Sequence, residues 1–127
     1  MGDSKITTYK DLKAWEKGHQ LVLRVYDITK DFPKEEMFGL VSQMRRCAVS
    51  ITSNIAEGFS RKSFKEKVQF YYQSLGSLTE LDNQLLISKD IKYISEVNFA
   101  DTIQLLSEVQ MILNGLIKKS KESILNS

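Results

Sequence analysis

Apolar residues recur three and four positions apart in four separate stretches of the chain, the spacing of one face of an α-helix. Leu12, Trp15, His19, Val22, Tyr26 and Thr29 make the first series; Met37, Val41, Met44, Ala48, Ile51 and Ile55 make the second. Phe64, Val68, Tyr71, Leu75, Leu78 and Leu85 form the third, and Phe99, Leu106, Val109, Leu113 and Leu116 the fourth. The breaks between them have chemical causes. Phe32-Pro33 stops the first helix, because proline lacks an N–H and disfavours helix in the residue before it, yet it fits the first turn of the next helix. Gly58 offers a left-handed residue beyond the second helix. Ser63 and Glu66 have the spacing of a capping box, and Ser95 can cap the fourth helix. The spacing therefore predicts helices over 9–31, 34–57, 63–89 and 95–121. Rods of similar length with short connections point to an all-α, antiparallel up-down four-helix bundle over residues 9–121. A flexible N-terminus at 1–8 and a polar tail at 122–127 flank it.

The first helix carries a second apolar stripe. Ala14, Gly18, Leu21, Val25, Ile28 and Phe32 also step by three and four, about 100° around the axis from the first series. Such width either fills a plump core or marks a subunit interface. The interface reading makes the protein a homo-oligomer in contact through Gly18, Leu21, Val25 and Ile28.

Composition narrows the function classes. The chain has 127 residues, one proline and six glycines, which suits one domain and argues against a many-stranded sandwich. Cys47 stands alone, so no intrachain disulfide forms and a cysteine-based zinc site has too few ligands. The single histidine, His19, excludes metal sites built on several histidines. No cofactor or metal is expected. Residues 1–8 lack the apolar core of a signal peptide, and no apolar run reaches the roughly 20 residues needed to span a bilayer. A cytoplasmic protein with no membrane contact is the expectation.

Candidate chemistry is sparse. Phosphate-binding loops, dinucleotide fingerprints, nucleophile elbows and H-E-x-x-H zinc motifs are all missing, so no catalytic residue is assigned. His19 falls in the core-facing series, where a buried structural role is expected. Cys47 beside the second apolar series reads as a small buried hydrophobe. Asp82, between Leu78 and Leu85 on the apolar face, needs a partner there, and the hydroxyl of Tyr26 lies at the matching level.

Charge is more informative in its distribution than in its net value of +2. An up-down bundle gathers the N-terminus, the turn between the second and third helices, and the C-terminus at one end. That end carries eleven cations against six acids, a balance of +5, whereas the middle and the far end are slightly acidic. Within it, Arg61, Lys62, Lys65 and Lys67 interleave with Phe59 and Phe64. Cations neutralise phosphates and exposed aromatics stack on unpaired bases, so these four are the candidate nucleic-acid-binding residues. The plain alternative is that both phenylalanines belong to the core and the cations are merely solvated. Gln43, Arg46, Ser50, Asn54 and Glu57 form a polar stripe on the second helix, either a wet face or the lining of a channel between subunits.

Several stretches carry a family likeness. Tyr9-Lys-Asp-Leu12, Ala14-Trp15-Glu-Lys17, Phe32-Pro33-Lys-Glu-Glu36 and Ser42-Gln43-Met-Arg45-Arg46 are joined by Val49-Ser-Ile-Thr-Ser-Asn54-Ile-Ala-Glu57-Gly58, the most specific of them. Over residues 9–95 the chain resembles the small bacterial four-helix bundle family first named for reading frames in intervening sequences of 23S rRNA genes. That resemblance implies a bundle assembling as a homopentameric barrel without known enzymatic chemistry. Related bundles include the accessory variability determinant of retroelements, a basic barrel that contacts a reverse transcriptase and nucleic acid. The expected function is a non-enzymatic, homo-oligomeric scaffold associating with RNA, single-stranded nucleic acid or a ribonucleoprotein. The alternative is a protein-interaction adaptor, such as an accessory subunit of a reverse transcriptase.

Overall fold

A computed structural model describes residues 5–126, and among them every regular element is a helix. Helix α1 is Lys13–Thr29, α2 is Leu40–Ser60, α3 is Phe64–Asp90 and α4 is Glu96–Leu125. Short 3₁₀ turns at Tyr9–Asp11 and Lys34–Glu36 precede α1 and α2. Neighbouring helices pack in the ring α1-α2-α3-α4, and the backbones of the diagonal pairs stay apart.

The side-chain partners give the directions. On the α1–α4 seam Lys17 pairs with Glu108 at 3.8 Å, while Arg24 donates to Thr102 at 3.2 Å and pairs with Asp101 at 3.8 Å. On the α1–α2 seam Arg45 reaches back to the Thr29 hydroxyl at 3.0 Å. On the α2–α3 seam the Ser74 hydroxyl donates to the Ile51 carbonyl at 2.8 Å and Ser88 approaches Met44. Thr52 lies beside Gly18 further along the α1–α2 seam. On the α3–α4 seam Lys121 donates to the Tyr72 hydroxyl at 2.9 Å, while the Lys89 ammonium lies over the Phe99 ring at 4.8 Å. Rising numbers on one helix thus meet falling numbers on the next, and the four helices run antiparallel.

Both serines cap their helices, Ser63 by the serine half of the capping box alone. The Ser63 hydroxyl accepts from the Glu66 N–H at 3.2 Å, and Ser95 accepts from the Asn98 N–H at 3.0 Å. Each satisfies one of the donors that a helix start leaves free.

Several expectations are corrected. Helix α2 begins at Leu40 rather than at 34, because the chain after Pro33 first makes a 3₁₀ turn and Gly39 adopts φ −111° and ψ −111°. It ends at Ser60, so Gly58 lies inside the helix and is not its left-handed terminator. The reason for glycine is closeness: a Cβ there would stand 2.7 Å from the Tyr71 ring on α3. Helix α4 runs on through 122–125, its carbonyls still bonded at Asn126.

The broad face of α1 is the core. Ala14, Gly18, Leu21, Val25, Ile28 and Phe32 are buried within the single chain, with Leu21 and Val25 fully inaccessible. The four residues assigned to a subunit contact, Gly18, Leu21, Val25 and Ile28, therefore face α2 and α4 of their own bundle. They offer no surface to a second copy. The series that looked central is divided: Leu12, Val22 and Thr29 are buried, whereas Trp15, His19 and Tyr26 lie at the flank. His19 is exposed and stacks on Trp15, ring centroids 4.8 Å apart, instead of lying in the core. Tyr26 is also exposed, beneath the guanidinium of Arg45 at 4.7 Å. Asp82 is exposed as well, because α3 buries Leu78, Leu81, Gln84, Leu85 and Ser88. No bond from Asp82 to Tyr26 forms, since α1 and α3 sit diagonally across the bundle.

Candidate functional site

Four chain segments converge at one end of the bundle. The stretch before α1, the end of α2, the start of α3 and the end of α4 together enclose a cavity of about 340 Å³. Its walls are Leu12, Phe59, Phe64, Tyr71 and Leu116, with Lys67 and Lys119 among the lining residues. A second cavity of about 310 Å³ opens beside it between Lys62, Ser63, Phe64, Lys65 and Ile124. Phe64 lines both. Among the described residues no acidic side chain lines either one.

The antiparallel order explains why these residues meet. Lys67 stands one turn into α3, and Lys119 stands near the end of α4, 52 positions later in the chain. Alternating directions bring both to the same pole, as the charge distribution predicts.

The four candidate cations do not behave alike. Lys62 and Lys65 are exposed and line the second cavity. Lys67 is half-buried, its ammonium over the Phe59 ring at 5.2 Å and donating to the Phe59 carbonyl. Desolvation holds its pKa below the usual lysine value. Arg61 turns away: its guanidinium binds Glu57 at 2.9 Å and lies over Phe70 at 4.6 Å. The structure thus brings Lys62, Lys65 and Lys67 to the cavities and commits Arg61 to the α2–α3 turn.

The phenylalanines also divide. Phe59 is partly buried against the core, whereas Phe64 is 42% exposed at the rim of the first cavity. Sequence spacing placed Phe64 in a core series, yet at the first residue of α3 the neighbouring helices no longer cover it. Lys119, Leu116 and Tyr71 complete the first cavity, and only their convergence reveals them. A charge count places Lys119 at this pole but not in this wall.

Two other surfaces bear on function. The polar stripe of α2 meets α3 in a shallow cavity of about 380 Å³ lined by Gln43, Arg46, Ser50, Ser77 and Glu80. Much of it is internally bonded: Ser50 meets Ser77 at 2.9 Å, and Asn54 donates to Ser50 at 3.1 Å. Cys47 borders it with its thiol donating to the Ser77 carbonyl at 3.1 Å. Burial, reinforced by the charge of Glu80, pushes that thiol up to about 12, so it stays protonated and is a poor nucleophile. At the opposite pole from the lysines, Phe38 is 96% exposed beside Met37 at 50%. Among the described residues no cluster of three or more His, Cys, Asp or Glu could hold a metal ion. No helix among them is long and apolar enough to cross a membrane.

Residues 10–115 match the family described as 23S rRNA-intervening sequence protein. The fold is similar to the crystal structure of a protein with unknown function from the S23 ribosomal protein family of Bacteroides thetaiotaomicron. That likeness has a TM-score of 0.78 at 22% identity and covers 86% of this chain and 98% of the other. No curated protein matches the sequence.

Proposed function

Because the chain belongs to the 23S rRNA-intervening sequence protein family, we propose that it is a non-enzymatic, homo-oligomeric scaffold that associates with RNA or a ribonucleoprotein through its basic pole. The carrying observation is the pair of adjoining cavities that hold Lys62, Lys65, Lys67 and Lys119, with no acid among the described residues of their walls. A concentration of like charge on one pole attracts a polyanion and orients it, even when net charge is small. The thiol of Cys47, held protonated, and the exposed, stacked His19 supply no nucleophile–base pair. The site of action is the cytoplasm.

Assembly, as a pentamer in the family's manner, draws on a different surface from the α1 core. Phe38 and Met37 expose apolar area at the start of α2, next to Tyr26, Val41 and Arg45. Exposed aromatic and Met side chains of this kind are enriched at subunit contacts. The same patch supports the second reading, an adaptor whose partner is another protein such as a reverse transcriptase.

Light scattering and RNA titrations test both. The scaffold reading expects an oligomer that Phe38→Ser dissociates. It also expects RNA affinity that falls with salt. Changing Lys62, Lys65 and Lys119 to Ala should make the salt slope shallower, by about 0.7 for each single-strand phosphate no longer neutralised. A monomer without RNA affinity at low salt defeats it and leaves the adaptor reading.

A further inference from the structure

The two cavities at the basic pole share the Phe64 ring as a common wall. Phe64 opens α3, so the ring is carried by a helix and not by a loop tip, and its 42% exposure leaves it accessible. Leu12, Phe59 and Tyr71 make the first cavity apolar in depth, while Lys67 and Lys119 bring positive charge to it. Lys62 and Lys65 do the same for the second, beside Ile124.

Apolar walls alone would accept any apolar group. The cations select an anion, and among the described residues no acid in either wall competes with it. What remains is a ligand that offers flat apolar groups at short intervals, with one negative charge for each. A single strand of nucleic acid has this repeat, because every nucleotide joins a planar base to one phosphate. A duplex does not, since its bases stack on each other and leave no face free for an aromatic ring.

We propose that this pole binds a single-stranded stretch of RNA with one unpaired base in each cavity, on either side of Phe64, and with the adjoining phosphates on Lys62, Lys65 and Lys119. Lys67 plays a different part. Its ammonium is held by the Phe59 carbonyl and ring, so it contributes a fixed field at the floor of the first cavity. The inference rests on the RNA-associating reading above and adds to it the strandedness of the ligand and the residue that senses it.

Fluorescence anisotropy on the full chain separates the possibilities. The probes are a ten-nucleotide oligo(U), a duplex RNA of the same length, and inorganic polyphosphate as competitor, all at one salt concentration. The expected result is that oligo(U) binds about tenfold more tightly than the duplex, and that Phe64→Ala removes about that factor for oligo(U) alone. Changing Lys62 and Lys65 to Ala should weaken both RNAs alike. Phe64 is 42% exposed at the first residue of α3, so circular dichroism melts should show Phe64→Ala folded as the parent is. Equal affinity for the two RNAs, no change on Phe64→Ala, or polyphosphate competing as well as oligo(U) overturns the inference while leaving RNA association in place. No affinity for either RNA overturns the reading beneath it.

Discussion

The Tyr93 hydroxyl in the α3–α4 turn donates to the Glu36 carboxylate at 2.9 Å. The other oxygen of that carboxylate accepts from the Leu40 N–H at 3.2 Å, the first amide of α2. One side chain therefore caps a helix and ties it to a turn 57 positions away in sequence. The Phe32 ring packs on Tyr93 at 5.2 Å and completes the corner. Tyr93→Phe should cost about 1 kcal/mol in urea unfolding, the net worth of one such hydrogen bond. Glu36→Ala, which removes the cap as well, should cost about 2 kcal/mol. Equal losses from the two variants would show that the cap contributes nothing.

Alkaline pH should destabilise the bundle, and the responsible groups are identifiable. Burial pushes the Tyr71 hydroxyl from 10.0 to about 12 and the Cys47 thiol from 9.0 to about 12. A proton held more tightly in the folded chain gives stability that is complete below the unfolded pKa and is lost as pH rises toward the folded one. The loss from Cys47 should begin near pH 9 and that from Tyr71 near pH 10, both continuing to about pH 12. In thermal melts between pH 8 and 12, Cys47→Ala should delay the onset of the decline by about one pH unit. An identical profile in parent and variant would exclude the thiol.

Two glycines should respond in opposite senses. At Gly58 an added methyl meets Tyr71 at 2.7 Å and the Phe70 Cβ at 3.0 Å, so the α2–α3 seam must part. Gly58→Ala is expected to lose about 2–3 kcal/mol, the range of an overpacked core. Gly115 lies inside α4 with nothing within 4 Å of the same position. There Gly115→Ala should gain about 0.5–1 kcal/mol by helix propensity. Chemical denaturation of both reads the sign directly.

Lys92 occupies a position made for glycine. Its φ is 67°, and the chain around it closes helix α3 through Tyr93 N–H to Ser88 C=O at 2.8 Å and Lys92 N–H to Lys89 C=O at 3.0 Å. This is the Schellman pattern, whose left-handed residue costs about 1–2 kcal/mol when it has a side chain. Lys92→Gly relieves that cost and adds backbone entropy to the unfolded chain, so a net gain of about 1 kcal/mol is expected. A lower melting temperature for Lys92→Gly would contradict it.

Periodicity and end signals were enough for the architecture. Three- and four-residue spacing, Pro33, Ser63 and Ser95 specify four amphipathic helices, and helices of that kind with short connections can bury their stripes only side by side. The gathering of lysines at one pole follows from the alternation of direction, a matter of connectivity that the chain states in its linear order. The rotation of each helix about its axis is another matter. Helix α1 carries two apolar stripes about 100° apart, and nothing within it says which faces inward. That choice was made by Thr52, Ile51 and Ile55, which pack where Gly18 leaves room, so Leu21 and Val25 went to the core and His19 and Tyr26 to its flank. The same holds for Phe64, left uncovered because the helices around it end there, and for Lys119, whose place beside Lys67 comes from the meeting of two helix ends. Local pattern sets how much apolar surface a helix must bury, but which side does so depends on the shape of its neighbours.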